Sequence, residues 1–306
     1  MKRALLLILI LSLFQGAFAQ EITNEEDRKM FVKLIYEMES ETFKAENIKF
    51  KTERYQPEEY FTFMSEEETA SCLQLMKETA RLAFSADRLY FTANILTALN
   101  DPQRIGSVSV TRHENRLFYD KDSLEIIHAE GGGNAVGNDY YQVTLNYPLG
   151  ENLADLSKIH GSLVMKVDFL TGYDSVLLTG RDKGKKITLG NETLEIVNII
   201  DNVIVLKGNT KNVKLINFVG DQMVAKPLDR EGAFLSTSGT TYKSCYENIV
   251  LKKMSLEDFD KVMTMEKLNA IEQEEAYRVI KTIAPIQGKF LLYRPAYTTR
   301  FLTVNH

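Results

Sequence analysis

Few residues in this 306-residue chain have the types and spacing that favour a particular chemistry. The four histidines are His113, His128, His160 and His306, and none lies in an H-E-x-x-H zinc-binding pattern. No serine lies in the G-x-S-x-G sequence of a nucleophile elbow. His113 and His128 flank the same predicted pair of strands, but two histidines without a third ligand do not predict a metal site. We therefore assign no catalytic and no metal-binding residues from the sequence.

Residues 131–137 (GGGNAVG) form the one segment that suggests a phosphate site. Glycines let backbone N–H groups approach an anion, and such loops bind nucleotides where they lead into the N-terminus of a helix. The residues that follow, 139–147, alternate in a pattern typical of a strand. Because the helix dipole is then missing, the pattern predicts a hairpin loop and no cofactor.

The acidic residues Glu66, Glu67 and Glu68 could also be considered as metal ligands. Their position favours a different role, because Ser65 and Glu68 have the spacing of a capping box and acidic side chains suit the first turn of a helix. Asn191 begins a glycosylation sequon on a predicted turn, which matters only in a eukaryotic source.

Cys72 and Cys245 are the only cysteines. A disulfide between them would close a long loop, and the chain-entropy model assigns such a bridge ~5 kcal/mol. Two separate buried thiols are the slightly favoured alternative, because the cysteines are far apart without a spacing pattern and a free cysteine behaves as a small hydrophobe. The sequence leaves both interpretations open.

The N-terminus predicts export. Lys2 and Arg3 precede an apolar stretch over residues 4–14, and a small-x-small pattern ends at Ala19. These features predict a signal peptide over residues 1–19 that is cleaved after Ala19. An uncleaved anchor is the alternative, but the apolar run has about half of the ~20 residues that a membrane-spanning helix needs. We expect a secreted or periplasmic protein without a transmembrane segment.

The composition narrows the class of partner. Loss of Lys2 and Arg3 lowers the basic residues from 37 to 35 against 42 acidic residues, which changes the formal net charge from −5 to −7. An acidic chain without a basic cluster lacks the charge pattern of a nucleic-acid-binding protein. A hydrophobic content of 44% is enough to form a core and excludes wholesale disorder.

Residues 159–219 dominate the secondary-structure pattern. Their first run alternates apolar and polar residues, which predicts a strand with one buried face. The buried positions are Leu163, Met165, Val167 and Phe169. Turn signals follow at Thr171-Gly172, Gly190-Asn191 and Asp201-Asn202. The whole stretch therefore predicts an antiparallel meander, which must bury its apolar face against a second layer.

On the N-terminal side of this meander, helices are predicted over residues 23–45 and from Ser65 onward. Strands are predicted over 89–95, at Val108 to Val110, over 116–119 and over 124–129, with a turn at 113–115. Residues 148–157 have the polar, turn-rich composition of a linker.

The C-terminal part carries weaker signals. Short strands are predicted at 223–225, 233–235 and 246–251, with a loop over 236–241. Residues 255–267 fit a helix or a strand, residues 272–283 favour a helix, and a hairpin around Pro295 joins 288–293 to 299–304.

These patterns predict an α+β N-terminal unit (20–147) followed by an all-β antiparallel sandwich-like domain (158–306). The export signal and the absence of a catalytic motif favour a non-enzymatic binding or interaction module that recognises an unidentified protein or cell-surface ligand. The alternative is a secreted hydrolase whose acid and base residues converge only in the fold.

Overall fold

The computed structural model describes residues 22–44, 48–96, 107–128, 132–136, 140–228 and 236–306. They form mostly antiparallel strands in several sheets with a few helices, which confirms the predicted fold class. The predicted signal peptide lies outside the described residues. Among the described helices, none combines the length and apolarity needed to cross a bilayer.

The helices are numbered along the chain and are α1 (Glu25–Thr42), α2 (Glu66–Thr79), α3 (Lys243–Cys245), α4 (Leu256–Val262) and α5 (Met265–Asn269). A π-helix, Tyr246–Leu251, continues α3. Short 3-10 turns occupy Pro57–Glu59, Leu156–Lys158, Gly180–Asp182 and Ile271–Gln273.

The strands, in the same order, are β1 (Phe50–Arg54), β2 (Arg81–Phe84), β3 (Arg88–Leu96), β4 (Val108–Tyr119), β5 (Asp122–Ser123), β6 (Gly132–Val136), β7 (Tyr140–Pro148), β8 (Ile159–Thr179), β9 (Lys186–Leu189), β10 (Glu192–Ile200), β11 (Val203–Gly208), β12 (Lys214–Gly220), β13 (Met223–Pro227), β14 (Ser236–Tyr242), β15 (Ala276–Thr282) and β16 (Lys289–Asn305).

The chain divides into two compact units, and each is discontinuous in sequence. The first consists of the described residues of Met1–Tyr55 and Ser175–Arg294, and the second of Gln56–Asp174 and Pro295–His306. The strands β8 and β16 each begin in one unit and end in the other. The predicted linker at 148–157 lies within the second unit, where Leu153 is buried. A domain boundary at that linker stays a prediction, which limited proteolysis can test.

The second unit contains the four-stranded antiparallel sheet β2-β3-β7-β6 and the strands β16-β8-β4-β5 of another antiparallel sheet. Helix α2 begins with the predicted capping box between Ser65 and Glu68 and contributes Cys72 and Met76 to the core. The inward side chains of β8 are Leu163, Met165, Val167 and Phe169, all fully buried in the same core. Their burial confirms the predicted strand and its register, because side chains of a strand alternate between its two faces.

The first unit contains the five-stranded antiparallel sheet β14-β15-β11-β10-β9 and the strands β1-β13-β12-β16 of a second antiparallel sheet. One apolar core, which includes Leu206, Leu215 and Phe290, draws side chains from both sheets. A second core lies among the helices and includes Val32 of α1 and Phe259 of α4. The predicted two-residue turns at Gly190-Asn191 and Asp201-Asn202 are confirmed, and Gly190 and Asp201 have the positive φ angles such turns require.

Three predicted chain reversals are wrong, because the strands continue through them. Thr171-Gly172 lies within β8, where the Thr171 and Thr298 hydroxyl oxygens are 3.0 Å apart. The turn predicted at 113–115 is a bulge in β4, and Pro295 lies inside β16. Glycine and proline permit a turn but do not enforce one where a neighbouring strand continues the ladder.

The C-terminal predictions fail most often. Residues 272–283, predicted as a helix, contain β15, and the loop predicted at 236–241 is β14, paired with β15 along its length. Residues 246–251 are π-helical where a strand was predicted. Of the strand predicted over 124–129, the described residues 124–128 contribute one isolated bridge, between Ile126 and Leu149. The start of a helix at Ser255 is confirmed, and the strand predicted at 233–235 lies outside the described residues.

Candidate functional site

The first unit carries an open groove of about 600 Å³ that we call the β1 groove. Phe50 and Thr52 of β1 line one side, and the end of β12 forms the floor at Phe218 and Val219. The other side is formed by Ala284, Pro285, Gln287, Gly288 and Lys289. The lining thus combines aromatic, aliphatic and a few polar side chains, which is typical of ligand sites.

Buried hydrogen bonds hold residues 284–288 in place. The Asn217 side-chain amide donates to the carbonyl oxygens of Ala284 (2.8 Å) and Pro285 (3.1 Å). The Thr282 hydroxyl donates to the Ala284 carbonyl (2.7 Å), and the Ile286 amide donates to the Asp201 carbonyl (2.8 Å). Because Asn217 and Thr282 are themselves buried, these bonds fix the wall of the groove before any ligand binds.

A small cavity of about 10 Å³ lies behind this wall, beside Asn217 and Thr282. The Asn217 Oδ1 atom is buried and has no hydrogen-bond partner among the described residues.

Phe50 is the aromatic side chain on the groove face of β1. The Phe218 ring lies on the opposite face, because Phe218 pairs with Val224 and Val224 pairs with Glu53, and it packs edge-on against Tyr55 with the ring centroids 5.2 Å apart. Phe50 is 37% exposed, although it is a large apolar side chain. An exposed phenyl ring beside a preformed concavity provides apolar contact area for a ligand.

Two charged side chains line the groove, Asp221 in the β12–β13 turn and Lys289 at the start of β16. Both are exposed, and neither forms an ion pair with another described residue. On the opposite face of β1, Glu53 accepts from Lys226 at 2.6 Å and Lys51 at 2.7 Å. The hydrogen bonds from Lys226 and then Lys51 lower the pKa of Glu53 to about 2.

The histidines, which the sequence singled out first, do not converge. The ring of His113 packs against Phe301 (centroids 4.6 Å apart), His160 stacks on Phe118 (5.7 Å), and His306 contacts Phe84 (4.6 Å). His128 is exposed. Over the described residues, no three His, Cys, Asp or Glu side chains come close enough together to hold a metal ion.

The other sequence candidates have structural roles. Glu66, Glu67 and Glu68 form the first turn of α2, with Glu68 in the capping box. The glycine-rich stretch is mainly strand, because Gly132–Val136 pairs with β7, so the predicted loop is wrong over these residues. Asn191 lies exposed in the β9–β10 turn.

Neither cysteine forms a disulfide and both are buried, so the disulfide interpretation is wrong and the interpretation as two buried thiols is confirmed. Burial, followed by the nearby Glu39 carboxyl, raises the pKa of the Cys245 thiol to about 12. A thiol that remains protonated and inaccessible is a poor nucleophile.

Glu39 of α1 is the buried acid that the sequence did not reveal. The Thr241 hydroxyl of β14 donates to its carboxyl at 2.8 Å. Burial raises the pKa of Glu39 to about 7, and the hydrogen bond from Thr241 opposes that rise. With 9% of the residue exposed, the carboxyl lies inside the first unit and offers no surface to a substrate.

Sequence reasoning also missed the β1 groove. Its local signals are weak: residues 48–50 (IKF) could begin an extended segment, and Gly288 begins the strand predicted over 288–293. The residues that line it come from three distant segments, 50–52, 218–221 and 284–289, and no pattern within one segment indicates that they meet.

The chain matches no known family model, no curated protein and no solved structure.

Proposed function

We propose that the chain is an exported, non-enzymatic binding protein and that the β1 groove is its ligand site. The observation that carries the proposal is the preformed groove wall, which Asn217 and Thr282 hold from behind. A site that needs no rearrangement avoids part of the ordering cost of binding. Export follows from the predicted signal peptide, and the ligand is then an extracellular or periplasmic protein segment or a cell-surface ligand.

The rival proposal is a hydrolase, which requires acid and base groups that a substrate can reach. Glu39 has the raised pKa that a catalytic acid needs, yet its carboxyl is buried against Thr241. The groove itself contains one carboxylate, Asp221, beside Lys289. This combination suits recognition of a polar group better than general acid–base catalysis, which pairs two tuned groups.

Selection from a displayed dodecapeptide library against residues 20–306 tests the proposal. We expect enriched peptides that share a sequence pattern and bind wild-type protein. Gly288→Leu should weaken this binding at least tenfold, because its side chain occupies the groove. Gly288→Ala is the matched control, since a Cβ there is 3.6 Å from the Phe218 carbonyl oxygen, an ordinary contact.

Two results would overturn the proposal. One is selected peptides that bind Gly288→Leu as well as they bind the wild type. The other is turnover of chromogenic esters, glycosides or peptides above the buffer rate, which would favour the hydrolase.

A further inference from the structure

The first unit has a sheet edge at β1, and the backbone there has a definite direction. The Tyr55 amide donates to the Gln222 carbonyl (2.7 Å), and the Leu228 amide donates to the Lys49 carbonyl (3.1 Å). These bonds continue the antiparallel register between β1 and β13 at both ends. Odd-numbered residues from 49 to 55 therefore direct their N–H and C=O groups toward β13.

The even-numbered residues direct theirs the other way. In an antiparallel ladder, residues that exchange both hydrogen bonds alternate with residues that exchange none with the same neighbour. The N–H and C=O groups of Phe50, Thr52 and Arg54 therefore point out of the sheet. These outward N–H and C=O groups form no hydrogen bond with another described residue, because β1 is the last strand in its sheet.

The two faces of β1 differ in chemistry. The side chains of Phe50 and Thr52 line the groove. Residues 49, 51 and 53 lie on the opposite face, where Lys49, Lys51 and Lys226 outnumber Glu53. This excess of two positive charges is local, because the whole chain has a formal net charge of −5.

We infer that β1 accepts an extended segment of a partner protein as an added strand. The residues of that segment opposite Phe50 and Thr52 are apolar and enter the groove, and the residues on either side of them are acidic and face the lysines. Side chains of directly paired residues lie on the same face of a sheet, so the two faces of β1 dictate the alternation. Backbone hydrogen bonds supply affinity, and the groove and the lysines supply specificity.

This inference rests on the proposed function, since it names the ligand class of the same groove. The probe is a fluorescein-labelled heptapeptide with valine at positions 1, 3, 5 and 7 and glutamate between them. We expect a Kd on the order of tens of micromolar by fluorescence anisotropy. The same peptide with lysine in place of glutamate should bind at least tenfold more weakly.

Backbone methylation separates strand addition from simple insertion into the groove. In the added strand, the valine N–H groups face β1 and the glutamate N–H groups face away. N-methylation of the valines should therefore weaken binding at least tenfold, while N-methylation of the glutamates should change it less than threefold. Equal binding of the two methylated peptides to wild-type protein would overturn the inference, as would no binding of the unmodified probe.

A protein variant provides the complementary test. Thr52→Pro removes the outward N–H without removing a bond to β13, and proline is tolerated at such edge positions. The Thr52→Pro variant should bind the probe at least tenfold more weakly than the wild type. Thr52→Val keeps the N–H and should bind the probe as the wild type does. Matching melting curves for the two variants would show that β1 stays folded, and equal probe binding by the two would overturn the inference.

Other outcomes identify other occupants. If library-selected peptides are lost on Gly288→Leu but retained on Thr52→Pro, the groove binds a ligand without strand addition, so the proposed function stands and this inference fails. A dimer in light scattering that dissociates on Thr52→Pro would assign the edge to a second copy of the chain, which also overturns the inference.

Discussion

The buried face of β8 in the second unit and the buried polar contacts of the first unit are stabilised by different physics. The β8 face is entirely apolar, with Leu163, Met165, Val167 and Phe169 in one core. In the first unit, Asn217 and Glu39 are buried with hydrogen-bonded polar side chains. Apolar burial is non-directional and independent of pH, whereas a buried polar contact depends on geometry and, for an acid, on protonation. The apolar face of β8 stabilises the fold, and the buried polar contacts of the first unit hold particular segments in position.

The largest expected effect is on the β8 face. Phe169→Ala should lower the free energy of unfolding by about 3–5 kcal/mol through lost burial and a residual cavity. Lys166, on the opposite face, forms a partly exposed ion pair with Asp168 at 2.7 Å, so Lys166→Ala should cost under ~0.5 kcal/mol. Urea denaturation measures both changes, and equal costs would contradict the assigned faces.

The burial of the Glu39 carboxyl should make stability depend on pH. Burial raises the pKa of Glu39 from 4.5 to about 7, so the folded state holds a proton that the unfolded state releases. Its contribution is therefore full below pH 4.5, falls as the pH rises toward 7 and is constant above that. Each unit of difference between the folded-state and unfolded-state pKa corresponds to about 1.4 kcal/mol. The free energy of unfolding should therefore fall by on the order of 3 kcal/mol over this pH range.

Glu39→Gln removes this charge and keeps an oxygen for the Thr241 hydroxyl. The variant should match the wild type at pH 4.5 and be more stable at pH 8, in urea unfolding at both values. Glu37→Gln, on the exposed part of the same helix, is the control and should leave the difference between the two pH values unchanged. A wild-type protein that is equally stable at both values would contradict the assignment.

The smallest effect is expected at Asn217. Asn217→Ala leaves the carbonyls of Ala284 and Pro285 without their buried donor, which should cost about 1–3 kcal/mol. Peptide binding in the groove should weaken as well, because its wall is no longer fixed. Asn209→Ala, at an exposed turn, should change neither stability nor binding. Unchanged peptide affinity in Asn217→Ala would show that the hydrogen bonds from Asn217 are not needed to hold the wall of the groove.

Local patterns were sufficient for particular elements of the fold. The period of two in β8 predicted its buried face, the capping box at Ser65 predicted the start of α2, and Gly190-Asn191 and Asp201-Asn202 predicted their turns. In each case the signal and the structure it specifies involve residues within a few positions of one another. The candidate chemistry was less predictable, because the histidines and cysteines drew attention by type alone.

The sequence by itself therefore determined the α+β class, the strand-rich middle of the chain and the first two helices. Only the tertiary structure decided that β8 and β16 continue through a glycine and a proline, that residues 276–282 form a strand, and that β1, β12 and residues 284–289 enclose a groove. The physical reason is the range of the interactions. Capping and alternation act between neighbours in the chain, whereas ladder pairing and the burial of Asn217 and Glu39 depend on residues that are distant in sequence.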